Sequence, residues 1–295
     1  MKGVFPILST PFDEKGRIVL EDLEHQVDWM IENGVDGVGI AVASEVYKLT
    51  ESERDLVLAT VVKRANGRAK VVMNTGAEGT EVAINYSKRA EDLGADALMI
   101  RPTSFIPMPA VENIEYFDRI AKSVGIPIFL QDQGSAPVPP AMAAACAKRH
   151  ENLGYVKVET PPTVPRMAET AALAKGTGLV LFGGAGGAFV IEEFRRGSVG
   201  TMPGSTLPDV FVKVWNLWNE GKDREAEQYF GRYSSLIRTL GQGQGLSNWI
   251  YKYVMIKRGV FAKGSVYGRH PSLRPDDEQF HEIDRLLEQL DLVGK

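Results

Sequence analysis

Cysteine occurs once in this sequence, at Cys146, and histidine four times, at His25, His150, His270 and His281. A single cysteine cannot close an internal disulfide or build a thiolate zinc cluster. Its place in the small-residue run Ala141 to Ala147 makes it a core residue of a helix. Charge of neither sign dominates, the net charge being -4 over 295 residues. That balance points away from nucleic acid and anionic membrane surfaces and toward a small-molecule partner. No apolar run is long enough to span a bilayer, and Met1 to Pro6 is too short and interrupted for a signal peptide, so a cytoplasmic protein is expected.

What the chain does contain is a repeated alternation of short apolar runs and amphipathic segments. Strands are expected at Gly3 to Leu8, Val38 to Val42, Val71 to Asn74, Ala97 to Ile100, Ile126 to Leu130, Tyr155 to Val158, Leu179 to Phe182 and Val199 to Met202. Helical segments follow each of them, for example Glu51 to Arg64 and Thr80 to Leu93. Nearly continuous apolar strands are those of a sheet buried on both faces. The alternation without a linker between halves predicts an α/β fold, a closed (β/α)8 TIM barrel over residues 1–220. Three further helices, Arg224 to Leu240, Gly245 to Arg258 and Pro275 to Leu292, make residues 221–295 a C-terminal helical extension packed on the barrel.

One strand carries a charge where apolar residues are the rule. Leu153 to Thr160 is an apolar run led by Gly154 and interrupted by Lys157 and Glu159, near the carboxyl end of the sixth strand. A strand lysine most often snorkels to solvent. Buried in a barrel, its ammonium form is disfavoured, and the free amine can attack a carbonyl to form an imine.

Barrel chemistry sits at the carboxyl ends of the strands. There the sequence places Ser9 and Thr10, then Ala43, Ser44 and Glu45, then Asn74 and Thr75, and Arg101 and Thr103. Gln131, Asp132 and Gln133, Lys157 and Glu159, the glycine run 183–187, and Thr201 and Met202 complete the ring. No histidine or cysteine is among them, so a zinc site or a Ser-His-Asp triad has little to be built from. A magnesium enolate site would have only Glu45, Asp132 and Glu159 to draw on. Neither a metal nor a cofactor is expected. The glycine run lacks a nearby cation until Arg195, which favours close approach of backbone to a ligand or neighbour over a phosphate cradle.

These residues carry a pattern. Gly3 to Phe12 with Gly16, Asn33 to Gly37, Ser44-Glu45 with Leu49-Thr50 and Glu53-Arg54, and Val156-Lys157 together resemble the dihydrodipicolinate synthase and N-acetylneuraminate lyase family of class I Schiff-base lyases, over essentially the whole chain. The resemblance implies a barrel with a helical C-terminal extension, a homotetramer, and a strand-six lysine that condenses with a 2-keto acid. Lys157 matches that lysine.

Departures from the family pattern bear on the substrate. Ala41 to Glu45 replaces the carboxylate-holding Gly-Thr-Thr-Gly-Glu loop, leaving backbone N–H groups and the Ser44 hydroxyl for that task. Gln131 stands where the family has a proton-relaying tyrosine, and an amide cannot exchange a proton usefully near neutral pH. The arginine that grips the second substrate of the synthases is absent from Gln131 to Ala136, and Thr103 and Ser104 replace a pair of tyrosines. With Pro208-Asp209 after strand eight, the pattern is more similar to the 2-keto-3-deoxy sugar acid dehydratases of the family.

The expected reaction is therefore dehydration of such an acid, with Lys157, Gln131 and Glu159 catalytic and Ala43, Ser44, Asp132, Gly184 and Val199 contacting substrate. Glu159 and Asp132 are the candidate bases, Glu159 being equally readable as an ion-pair partner that orients Lys157. Competing readings are a pyruvate-dependent aldolase or synthase-like enzyme on the same imine, and a non-catalytic sugar-acid-binding barrel. Arg101 is read as an anchor for a substrate carboxylate or, in preference, as pairing with an acid across a subunit contact.

Overall fold

The computed structural model describes residues 1–265 and 268–294. Eight parallel strands form one sheet: β1 (Gly3–Val4), β2 (Gly37–Ile40), β3 (Lys70–Asn74), β4 (Ala97–Ile100), β5 (Ile128–Asp132), β6 (Tyr155–Val158), β7 (Val180–Gly183) and β8 (Gly200–Thr201). Between them run α1 (Leu20–Glu32), α2 (Glu51–Ala65), α3 (Thr80–Asp92), α4 (Ala110–Ala121), α5 (Pro140–Arg149), α6 (Thr163–Ala174), α7 (Val190–Phe194) and, after β8, α8 (Pro208–Asn219). From β2 to β8 the strands pair in sequence order, and β1 pairs with β8. Closure between β1 and β2 comes just past β1, where Ile7 bridges Gly39 and the Leu8 N–H donates to the Gly39 carbonyl. The sheet is thus the closed (β/α)8 barrel that the alternation predicts.

Regular β1 is shorter than expected: Pro6 has no N–H to give toward β2, although the Phe5 and Ile7 N–H groups still donate to the Thr201 and Pro203 carbonyls. The second expected strand is also shorter, since Val42–Ser44 winds into a 3-10 turn. By contrast β5 runs on to Asp132, which puts Gln131 and Asp132 inside the strand, with alternate faces.

The barrel interior is filled by Phe5, Val72, Met99, Phe129, Phe182 and Met202 among others. Phe182 meets Phe5 and Phe129 edge to face, at centroid separations of 5.6 and 5.1 Å. Removing such rings from water stabilises the fold by roughly 1.5–3 kcal/mol each. The aromatic layer abuts Lys157, whose register partners are Gln131 on β5 and Phe182 on β7.

The extension consists of α9 (Asp223–Gly231), α10 (Ser234–Leu240), α11 (Gln244–Lys257) and α12 (Asp277–Gln289). Where one helix is expected over Arg224 to Leu240, two are found. The N–H groups of Arg232 and Tyr233 bond three residues back, to Tyr229 and Phe230, and the tightened turn redirects the chain. Val210, Phe211 and Val214 of α8 share a core with Leu236, Ile250, Val254, Ile283 and Leu287, which fixes the extension to the barrel. Cys146 is buried, and burial pushes its thiol up to about 12.

Candidate active site

Successive strand residues point to opposite faces, so Lys157 and Glu159 both turn inward. The Lys157 side chain is almost fully buried, and its Nζ lies 3.0 Å from Oε1 of Glu159. The Glu159 carboxylate is held from two further directions. The Ala185 N–H donates to Oε1 at 3.1 Å, and Nε2 of Gln131 donates to Oε2 at 3.2 Å. Gln131 is itself oriented by Asn74, whose Nδ2 donates to Oε1 of the glutamine at 3.4 Å. A polar chain thus crosses the barrel from β3 through β5 to β6 and ends at the lysine.

Gly184 takes part without touching the cavity. A side-chain carbon there would come within 2.4 Å of Cγ of Glu159, so the glycine leaves the space that the glutamate fills. On the other side of the same strand end lies Glu193 of α7, fully buried, its carboxylate 1.8 Å from where a Gly183 side chain would begin. Burial, reinforced by the charges of Glu159 and Glu192, pushes the Glu193 carboxyl up to about 8. No feature of the sequence marks this acid as buried. It lies within Val190–Phe194, a helical turn whose acids read as solvated.

Asp132 points away from the cavity. Its carboxylate accepts from Nε and Nη2 of Arg166 at 2.6 and 2.9 Å, from the Thr160 hydroxyl at 2.7 Å and from the Val138 N–H at 2.8 Å. These contacts join the ends of β5 and β6 to α6 and to the loop before α5. It is a buried tie between strands, and this geometry does not present it to a substrate.

The loop after β2 is similarly committed. The Ser44 hydroxyl donates to the Leu8 carbonyl at 2.5 Å and accepts from the Ala41 N–H at 3.1 Å, so it has no proton left for a carboxylate. Ala43 does line the cavity. Glu45, in the left-handed conformation, pairs with Lys48 at 2.7 Å and with buried Lys252 of α11. It is a structural acid, held by cations of the loop and the extension. Burial lowers the Lys252 pKa and the Glu45 charge opposes that shift. Val199 sits one residue before β8, packed against the interior layer of Phe5 and Phe182, and is not among the residues that line the cavity above Lys157. Arg101 pairs within its own chain, with Glu78 at 3.4 Å.

Above Lys157 and Glu159 opens a cavity of about 530 Å³. The barrel contributes Ala43, Gln133, Pro161, Ala185, Gly186 and Met202, and α11 closes the far side with Gln244, Ser247, Asn248 and Tyr251. Lys157 and Glu159 are the only charged residues lining it among the described residues. Among the same residues no cluster of histidine, cysteine and acids has the grouping of a metal site, and no helix is long and apolar enough to cross a membrane.

A closed barrel with a buried lysine–carboxylate pair at the carboxyl ends of its strands places the chain among the barrel lyases. The chain belongs to the dihydrodipicolinate synthetase family, whose family model matches residues 1–290. It is 29% identical over 282 residues to L-2-keto-3-deoxyarabonate dehydratase of Azospirillum brasilense, covering 93% of this chain and 90% of that one. It is 30% identical over 244 residues to 4-hydroxy-tetrahydrodipicolinate synthase of Methanocaldococcus jannaschii, covering 81% and 83%. Among solved structures, dihydrodipicolinate synthase of Rhodopseudomonas palustris superposes with a TM-score of 0.90 at 28% identity, covering 98% of this chain and 97% of that one.

Proposed function

We propose that the protein is a Schiff-base hydro-lyase acting on a 2-keto-3-deoxy sugar acid, in the manner of L-2-keto-3-deoxyarabonate dehydratase. The observation that carries this reading is the 3.0 Å contact between Lys157 and Glu159 at the floor of a cavity that no other charge lines among the described residues. Glu159 takes the ammonium proton as Lys157 Nζ attacks the C2 carbonyl and returns it to the carbonyl oxygen, which leaves as water, so that an iminium and an ionised Glu159 remain. The positive nitrogen is an electron sink for the C3–H bond. Glu159 then removes a C3 proton, and the enamine expels the C4 hydroxyl, which leaves with a proton as water. Hydrolysis of the conjugated iminium frees Lys157 and the unsaturated keto acid.

Gln131 supports elimination over retro-aldol cleavage. Cleavage of C3–C4 needs a base for the C4 hydroxyl, and the amide at this position can only hold Glu159 in place. Among the described residues the cavity also has no arginine to hold a second carboxylate, which favours a dehydratase over the synthase reaction. Assembly as a homotetramer, which the family resemblance implies, and a cytoplasmic location belong to the same proposal. Product analysis tests it: dehydration preserves the carbon skeleton and yields one product, whereas an aldolase yields pyruvate and an aldehyde.

A further inference from the structure

We propose that the cavity face of α11, carrying Gln244, Ser247, Asn248 and Tyr251, is the subsite that reads the hydroxyl groups of the substrate beyond C4, so that the C-terminal extension sets which sugar acid is accepted. The inference rests on the reading of the site as a keto-acid imine centre. The four residues fall at helical spacings of three, four and seven, which puts them on one face, and all four line the cavity opposite Lys157 and Glu159. Three carry hydroxyl or amide groups able both to donate and to accept, and the fourth, Ser247, a hydroxyl as well.

Asn248 is 4% exposed, yet neither end of its amide makes a well-formed hydrogen bond with the described residues, although the Tyr47 hydroxyl is within reach. A buried amide left in this state is costly unless something in the cavity completes it. Tyr251 fits because glycines face it. A side-chain carbon on Gly204 would come within 2.6 Å of its ring, and one on Gly186 within 3.5 Å of its hydroxyl. Burial, with the Glu159 charge adding to it, pushes this phenol up to about 12, so it stays a neutral hydroxyl facing the reacting end.

The face is also held still. Lys252, the next residue along α11, is locked onto Glu45, and Nε2 of Gln133 donates to Oε1 of Gln244 at 2.6 Å from the loop after β5. Since no cation lines this end of the cavity among the described residues, what it recognises is an uncharged polyhydroxylated chain; a terminal carboxylate would be buried unpaired.

Two arms test the proposal in the full-length chain with Tyr251→Phe and Asn248→Ala. In the first, calorimetry measures binding of a sugar acid whose C2 carbonyl has been reduced to an alcohol and which cannot form an imine. In the second, borohydride trapping measures imine formation with pyruvate, which has no carbon to reach α11. We expect each variant to lose roughly tenfold in affinity for the reduced acid while pyruvate is still trapped at Lys157. Unchanged affinity, absence of binding to the unaltered protein, or a parallel loss of pyruvate trapping in the variants overturns the subsite. Failure of the unaltered protein to trap pyruvate overturns the imine chemistry instead, and the binding arm still decides the role of α11.

Discussion

Gly184 and Glu159 occupy one space between them: a side-chain carbon on the glycine would lie 2.4 Å from Cγ of the glutamate. The neighbouring Ala185 N–H then fixes the carboxylate. We therefore predict that Gly184→Ala pushes Glu159 away from Lys157 and lowers kcat on the order of 100-fold or more, as loss of a positioned acid–base group does. Steady-state kinetics with a near-native unfolding curve would support this. Full activity in the alanine variant would show that Glu159 is not needed where it stands.

Glu159→Gln removes the proton acceptor and keeps the shape. The expected result is a fall in kcat of about 10²–10⁴, with Lys157 still present to be labelled slowly by keto acid and hydride. An unchanged rate would reassign Glu159 to holding the lysine alone.

Asp132 is predicted to matter for stability and not as the base. Its carboxylate is buried against Arg166, and breaking such a pair from one side costs roughly 3–5 kcal/mol. Asp132→Asn should shift the denaturant midpoint strongly. A variant of native stability and no turnover would restore Asp132 as a catalytic candidate.

Glu193 predicts a pH dependence whose sign can be worked out. The folded carboxyl titrates at about 8, above its unfolded value of 4.5, so between these the folded protein binds the extra proton. Stability must then fall as pH rises through that window, by on the order of a few kcal/mol. Glu193→Gln cannot ionise and should flatten the curve. Unfolding by denaturant at pH 5 and pH 8 checks it; equal slopes for the two proteins would contradict the assignment.

The barrel was legible in the sequence because strands buried on both faces must be continuously apolar, and a lysine in one of them stands out. Period two likewise placed Glu159 beside Lys157. The same parity decided Gln131 and Asp132, but only once β5 was seen to extend to Asp132: the first turns inward to Glu159 and the second outward to Arg166. Ser44 and Val199 were placed by chain position, which does not reveal that a hydroxyl is tied to a carbonyl or that a residue packs against the interior layer. Tyr251 and Asn248 reach the cavity from a helix far along the chain, and no local pattern announces a long-range contact of that kind.

The account stands or falls on covalent chemistry at one amine. Borohydride reduction in the presence of 2-keto-3-deoxy sugar acids, followed by peptide mass mapping, should add the reduced ligand to Lys157 and nowhere else, and Lys157→Ala should abolish the adduct. A protein that turns over the same acids without any trapped adduct, or that carries the label on another lysine, would contradict it.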